Sequence, residues 1–599
     1  MRLLLPSKSK HRIMKFLSNV IATVVGLFVF VMLFFFGIIF IAALFGGDSG
    51  GEALKDNSVI ELNLKDVKFD YAGKYKDPWM SFFSEEKNIG LTDVINAIDV
   101  ASIDDNIKGI SILNNNSALG MAQSKDLRNA LENFKKSGKF VMAYANSYSQ
   151  KEYYLNSVAN SIYLNPVGEL DFKGLSSEIM FFKDLQQKTG VKMEVLRHGK
   201  YKSAVEPFLD NKMSDANREQ TSELLQSIWN SVCLEISKSR SISVSQLNEI
   251  ATGLLARTPE MAKQQKLIDQ IAYEDVYHND IKKALKVNAD KDYNKISISD
   301  YTNKMIRTSI VSESDDKIAI IYAQGEIQSG EGDVNTIGEG SMRRSLQEAR
   351  KDKKVKAIVL RIDSPGGNAL TSDLIWREVE LTKKVKPVVV SMGNYAASGG
   401  YYIACNANTI FAQKNTITGS IGVFGILPNF SELTKKVGIN VERVNTNANA
   451  ANYSPFVPID ENFKAVTLEG IEHIYKTFVS HVAEGRKMNF AAVDSIAQGR
   501  VWSGSEALKI GLVDKIGGLN AAIVEAARLS KTQNYSTQNY PEYEKDFNDV
   551  ISRFPFAGTK QNMIKEEIGI ENYQLLQQVK KFQSRKGIQA ILPFEISIY

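Results

Sequence analysis

The chain repeats itself. Laid over itself at an offset of 248 (401 minus 153), Tyr153 and Tyr154 fall on Tyr401 and Tyr402, and Ala159, Asn160 and Ile162 fall on Ala407, Asn408 and Ile410. Gly174 meets Gly422, and Leu185, Lys188, Gly190 and Glu194 meet Leu433, Lys436, Gly438 and Glu442. Further back, Ile107-Lys108-Gly109-Ile110 lies over Val355-Lys356-Ala357-Ile358. No gap is needed across that span, which identifies a duplicated domain. A chain of 599 residues also exceeds what one core ordinarily holds, so two or more domains are expected.

Both halves use one local pattern. A short β-branched run, KGISIL or KAIVLRI, leads into a polar or glycine turn, a helical stretch and a second strand, KFVMAYA or KPVVVSM. Strands alternating with helices predict an α/β fold. Amphipathic helices are predicted over 215–238 and 462–484. The expected organisation is a basic tip at 1–20, an apolar anchor at 21–45, a first domain at 55–286 and a second at 316–530. The polar segment 287–315 reads as a linker, and 531–599 as a tail without an assigned role.

The run IATVVGLFVFVMLFFFGIIFIAALF at 21–45 carries no charge and exceeds the roughly 20 apolar residues that span a bilayer. A cleavable signal peptide has a shorter apolar core of roughly 7–15 residues, so a retained anchor is expected. Arg2, Lys8, Lys10, Arg12 and Lys15 precede it and GGDSGGE follows, which puts the N-terminus in the cytoplasm and the bulk in the periplasm of a two-membrane bacterium. Those five cations account for much of the net charge of +5; the remainder is near neutral and carries no nucleic-acid footprint. The two cysteines, Cys233 and Cys405, form neither a disulfide framework nor a zinc site.

Positions where duplicates differ are the informative ones. One strand of the second half ends in Ile362-Asp363-Ser364-Pro365-Gly366-Gly367, where the first half has NNNSAL at 114–119. A glycine pair lets backbone N–H groups approach a ligand closely, as an oxyanion hole requires, although a plain turn would use the same residues. Ser398, in NYAASGGY before a helical run, stands opposite Gln150. It reads either as a nucleophile favoured by a helix N-terminus or as a helix cap. Lys202, in RHGKYKSAVEPF, stands opposite Ala450. One half thus holds a candidate serine without the lysine, and the other the lysine without the serine.

Serine needs a base to become a nucleophile. Of the five histidines, His11, His278, His473 and His481 lie on the tip or in helical and charged surroundings; His198 is the only competitor, four residues before Lys202. A lysine serves as base only when neutral, and at its ordinary pKa of about 10.4 roughly one molecule in 2,500 is neutral at pH 7. Bringing that pKa to about 7–8 takes about 4 kcal/mol, which burial among apolar groups can supply. Tyr201, Ala204, Val205, Pro207 and Phe208 offer such walls, whereas Lys200 reads as solvent-facing.

Together GKYKSAVEPF, SPGG, AASGGYY and TGSIGVFG, in this order, resemble the signal peptide peptidase A (SppA) family in its long, duplicated bacterial form, over about residues 55–530. The resemblance implies two tandem domains of the ClpP/crotonase superfamily, with Ser398 as nucleophile and Lys202 as proton acceptor and donor. It further implies Ser420 as a hydroxyl supporting the lysine, and Gly366 and Gly399 as oxyanion-hole donors. Ser420 stands opposite Phe172, again a one-sided position. The family cleaves signal-peptide remnants and assembles as a homotetramer, so peptide substrates, a membrane and copies of the chain are the expected partners. No metal or cofactor is implied, and no GxxxxGK[ST] phosphate loop is present. Two rival readings share the fold: a crotonase-like enzyme acting on acyl-CoA, and a scaffold without catalysis.

Overall fold

A computed structural model of the chain describes residues 7–45, 54–75, 89–309, 314–447, 449–450, 453–543 and 588–591. They fall into two units, Met1–Leu54 and Lys55–Tyr599. The first is a helix, Ser7–Phe45, whose stretch Ser18–Gly37 is long and apolar enough to cross a membrane. The apolar segment expected at 21–45 lies within this helix.

The second unit is α/β and built twice. In the first half, strands Gln270–Ile271, Ser161–Leu164, Phe140–Ala145, Ile107–Leu113, Ser58–Glu61 and Lys295–Ser297 form one sheet in that order, all parallel. In the second, Val355–Ser364 pairs in parallel with Lys317–Gln324 on one side and Val388–Ala397 on the other. Such strands are covered on both faces and are therefore apolar almost throughout, as IKGISIL and VKAIVLRI are. The duplication is visible residue by residue: Ile107–Leu113, Phe140–Ala145 and Ser161–Leu164 correspond at the same offset to Val355–Ser364, Val388–Ala397 and Thr409–Ala412. The helices expected at 215–238 and 462–484 run over Asp215–Arg240 and Glu461–Arg486, 26 residues each, where the offset has become 246 (461 minus 215).

Two expectations about boundaries are revised. Residues 287–315 carry an edge strand, Lys295–Ser297, and a helix, Ile298–Ser309; Ile296, Ile298 and Tyr301 are buried. Those three apolar residues are buried against the first half, so the segment completes a domain rather than linking two. The second sheet likewise continues past residue 530, with Ser536–Tyr540 laid parallel along Lys317–Gln324.

A third sheet joins the halves, in the order Thr336–Gly338, Glu326–Gln328, Gly366–Asn368, Gln589–Ile591, Val423–Asn429, Lys192–His198. Its last strand belongs to the first half and pairs antiparallel with Val423–Asn429, from Val423 opposite His198 to Asn429 opposite Lys192. Elsewhere the halves meet around Arg361, a fully buried guanidinium of the second half. It reaches two buried first-half carboxylates, Asp70 at 2.6 Å and Asp126 at 3.1 Å, and donates to Ser391 Oγ at 2.9 Å and Met392 O at 3.0 Å. A fully paired buried charge is tolerated, whereas removing one partner strands the others. Arg361→Met is therefore expected to destabilise the folded protein by about 3–5 kcal/mol, measured as a fall in the first urea-unfolding midpoint.

Candidate active site

Ser398 stands between the strand Val388–Ala397 and the six-residue helix Gly399–Ala404, fully buried, with φ 54° and ψ −113°. A non-glycine residue with such a φ is held by its surroundings, here by Ser398 N–H to Gly419 O at 2.8 Å and Tyr402 N–H to Ser398 O at 2.8 Å. The small neighbours are a packing requirement: a Cβ on Gly399 would stand 2.6 Å from Ser372 Oγ. Ser398 makes no side-chain cap to the helix it precedes, so the capping alternative fails. In the first half the matching helix, Gln150–Asn156, is capped by Ser149, one residue earlier, whose side chain accepts from Glu152 N–H. Gln150 instead accepts from Lys173 and Gly174 N–H and donates to Gly174 O. The duplicate thus retained a cap and lost only the serine at the position of Ser398.

Lys202 leaves the joining strand Lys192–His198 through a turn and is fully buried. Its stem runs beside Gly499, where a Cβ would come within 2.7 Å of Lys202 Cβ. Its Nζ lies 2.9 Å from Ser398 Oγ, 2.9 Å from Ser420 Oγ and 3.1 Å from Ser420 O, with the Phe424 ring 5.8 Å away. Among the described residues no carboxylate pairs with it, and burial alone drives its pKa well below the ordinary lysine value. A neutral amine has two N–H groups and one lone pair. The two N–H groups match the hydroxyl and carbonyl oxygens of Ser420, which leaves the lone pair for the hydroxyl of Ser398.

Ser420 also has a positive φ, 50°, at the end of the strand Ile417–Gly419, and its N–H donates to Arg500 O at 2.7 Å. Ser398, Lys202 and Ser420 thus meet in one buried cluster although they lie far apart along the chain. His198 is apart from it, its ring 4.0 Å from that of Tyr475, and Lys200 is exposed over the Tyr201 ring.

The glycine loop lies alongside. Gly366 has φ 101°, and its N–H donates to Ser364 Oγ at 3.2 Å. A Cβ on Gly366 would fall 2.8 Å from Gly399 N, and one on Gly399 would fall 3.2 Å from Gly367 N. The backbones of Gly366, Gly367 and Gly399 therefore converge on one point. Sequence reasoning named Gly366 and passed over Gly367, whose amide it had no means of orienting. It also missed Asp363, which accepts from Tyr395 N–H at 2.9 Å and Asn394 Nδ2 at 3.1 Å and so ties the glycine loop to the serine strand. Burial, then the nearby Asp70 carboxylate, raises the Asp363 pKa. Its place directly before SPGG was the available signal.

Known proteins match at the same places. The sequence matches peptidase family S49 twice, over residues 133–288 and 380–533. It is 36% identical to Protease 4 of Haemophilus influenzae over 84% of this chain and 85% of that protein, and 37% identical to Protease 4 of Salmonella typhi over 76% and 74%. It is 33% identical to a chloroplastic serine protease, SPPA, of Arabidopsis thaliana over 79% of this chain and 69% of that one. Two matched segments, one within each structural half, and relatives matched over most of their length, establish that this chain belongs to peptidase family S49.

Proposed function

We propose that this serine protease of family S49 cuts peptides with a serine–lysine dyad in which Ser398 is the nucleophile and Lys202 the general base. The observation that carries the reading is the 2.9 Å approach of a buried amine without a carboxylate partner to Ser398 Oγ. Neutral Lys202 takes the hydroxyl proton as Ser398 Oγ bonds to the peptide carbonyl carbon, and Ser420 holds the resulting ammonium through its hydroxyl and carbonyl. The carbonyl oxygen, now an anion, faces the amides of Gly367 and Gly399, beside Gly366, whose own N–H is turned to Ser364 Oγ. Lys202 then gives its proton to the leaving amine as the C–N bond breaks. The acyl-serine is hydrolysed when Lys202 takes a proton from water and returns it to Ser398.

The proposed substrates are signal-peptide remnants and similar apolar peptides, reached from a single-pass anchor with its basic end in the cytoplasm and the catalytic unit in the periplasm. The apolar helix with Lys8, Lys10, Arg12 and Lys15 at its start supports that orientation. An acyl-CoA enzyme would not need a desolvated lysine against a serine hydroxyl, which favours the peptidase reading over it.

The proposed assembly is a ring of copies, a homotetramer as the resemblance implies. Lys192–His198 pairs with Val423–Asn429, but their duplicates, 440–446 and 175–181, form no strands within the chain. Transferring the same register between copies sets Leu175 opposite Thr446 and Phe181 opposite Asn440, with Glu178 facing Arg443 in the middle. Met180 and Val444 are exposed there. Opposite charges across a strand pair are favourable, and a head-to-tail contact of this kind closes a ring.

Ser398→Ala and Lys202→Ala should each abolish hydrolysis of a quenched fluorescent peptide while circular dichroism stays unchanged; full activity in either variant would overturn the dyad. Between the lowered folded pKa of Lys202 and about 10.4 the unfolded chain holds one proton more, so wild-type stability should rise with pH by up to about 1.4 kcal/mol per unit relative to Lys202→Met. Parallel urea midpoints of the two proteins across this window would contradict a buried neutral amine. Glu178→Arg should lower the molar mass read by light scattering to that of smaller species, and Glu178→Arg with Arg443→Glu should restore it.

A further inference from the structure

The turn that carries Lys202 is closed from outside by two elements. One is the loop after the helix Phe490–Ile496, where Gln498 has φ 53° and Gly499 φ 83°. Its backbone meets the loops of both Lys202 and Ser420. Gln498 O accepts from Tyr201 N–H at 2.8 Å, Arg500 O accepts from Ser420 N–H at 2.7 Å, and Gly499 N–H donates to Ile421 O at 2.8 Å. The other element is the first-half helix Asp215–Arg240. From it the buried Gln220 donates to Tyr201 O at 3.1 Å and Ser203 Oγ at 2.8 Å, on either side of Lys202, and accepts from Val501 N–H at 3.3 Å.

Arg500 covers this seam. Its guanidinium carbon lies 4.8 Å from the centre of the Tyr201 ring and 4.4 Å from that of Trp502. Nη1 donates to Tyr201 Oη at 3.2 Å and to Glu219 at 3.1 Å, and Nη2 pairs with Glu223. A planar guanidinium holds two rings and two carboxylates at once, which a lysine ammonium does not. Nε is buried without an acceptor among the described residues, a cost that calls for a compensating use. The other half holds no such cover. At the offset of 246 that relates the two long helices, Arg500 stands opposite Leu254, Trp502 opposite Ala256, Glu219 opposite Ala465 and Gln220 opposite Val466. Leu254 and Val466 are exposed. The cover is thus as one-sided as the lysine, and it lies where a seal against water is needed.

We propose that Arg500 is a positioning residue for the reaction: by clamping Tyr201 against the loop 498–502 and the helix Asp215–Arg240, it shuts water away from Lys202 Nζ and so sets the lowest pH at which the amine acts as base. This rests on the dyad reading above and adds to it the group that fixes its working pH. Wherever water reaches an amine the ammonium is favoured, so an opened turn raises the proton affinity of Lys202. On the lysine's own segment the charged and titratable groups are His198, Lys200 over the Tyr201 ring, Glu206, and Arg197, whose Nη1 donates to Lys202 O at 3.2 Å. The packed elements bring Glu219, Glu223, Arg500 and Asp494, which accepts from Gln498 Nε2 at 2.8 Å. Among the described residues none of these bonds to Nζ, whose partners are Ser398 and Ser420. Access of water is therefore the quantity the clamp controls.

The test compares pH profiles of kcat/KM for the full-length wild type, Arg500→Gln and Arg500→Lys on one reporter peptide. The acid limb reports the essential base of the free enzyme. In both variants it should move up by about one pH unit, with kcat on the alkaline plateau within about threefold of wild type. A lowered plateau with the limb in place would make Arg500 a residue of the fold only and overturn the proposal. A limb that moves in Arg500→Gln but not in Arg500→Lys assigns the effect to charge and overturns the clamp as well. Tyr201→Leu should move the limb the same way, and Tyr201→Leu with Arg500→Gln no further than either alone, because both break one contact. A second measurement needs no catalysis. The urea midpoint of Arg500→Gln, set against Arg500→Gln with Lys202→Met at each pH, should begin its rise at a higher pH than the wild-type comparison does. The two readings fail separately: hydrolysis that survives Ser398→Ala or Lys202→Ala strikes the dyad and leaves the urea comparison valid, whereas an unmoved limb and an unmoved urea onset beside inactive dyad variants strike only the clamp.

Discussion

The proposed chemistry depends on keeping one amine out of water. An ammonium at the position of Lys202 would lose its hydration and find no carboxylate in return, so burial drives the group toward its neutral form. A neutral amine in that place needs two acceptors and one donor around it, which Ser420 and Ser398 are placed to provide. Neither half can meet the requirement alone. The lysine is carried by the first half and both serines by the second, so the cluster exists only where the halves are packed together. The pairing of Lys192–His198 with Val423–Asn429 and the Arg361 cluster do that packing.

Duplication explains why the arrangement is asymmetric. Two copies of one domain could each have carried a complete cluster, yet Gln150 and Phe172 stand where Ser398 and Ser420 would be, and Ala450 where Lys202 would be. The substitutions in the first half are absorbed locally: Gln150 binds the loop at Gly174, and Phe172 packs with Tyr153 and Trp229. The same asymmetry leaves two segments, 175–181 and 440–446, whose duplicates are strands and which are not strands themselves. Complementary loss at the site and unmatched edges at the periphery follow from the same event, divergence between halves that had first been alike.

Much of the fold was legible in the sequence because the parallel strands are nearly continuous apolar runs and because the repeat showed each of them twice. Ser398 and Lys202 were legible for the opposite reason, as positions where the repeat breaks, and Ser420 was named through the family resemblance. Other features were hidden. The segment 287–315 looked polar because a strand of three residues and one helix need only Ile296, Ile298 and Tyr301 to dock. The cap of the first-half helix, Ser149, was also hidden, since a cap can move by one residue with a small change of backbone. Gly366 was named for a role that its own N–H, turned to Ser364, leaves to a neighbour.

By itself the sequence determined the kinds of element, their order, the duplication and which residue types could act as nucleophile and base, because each of these depends on local pattern or on comparing the chain with itself. The tertiary structure alone decided that one lysine among many is buried, that it meets two serines of the other half, that Arg361 is paired across the halves, and that Ala590 lies beside Gly367. These are contacts between residues hundreds of positions apart. Burial and hydrogen-bond direction depend on what the rest of the chain brings close, and no periodicity in the sequence records that.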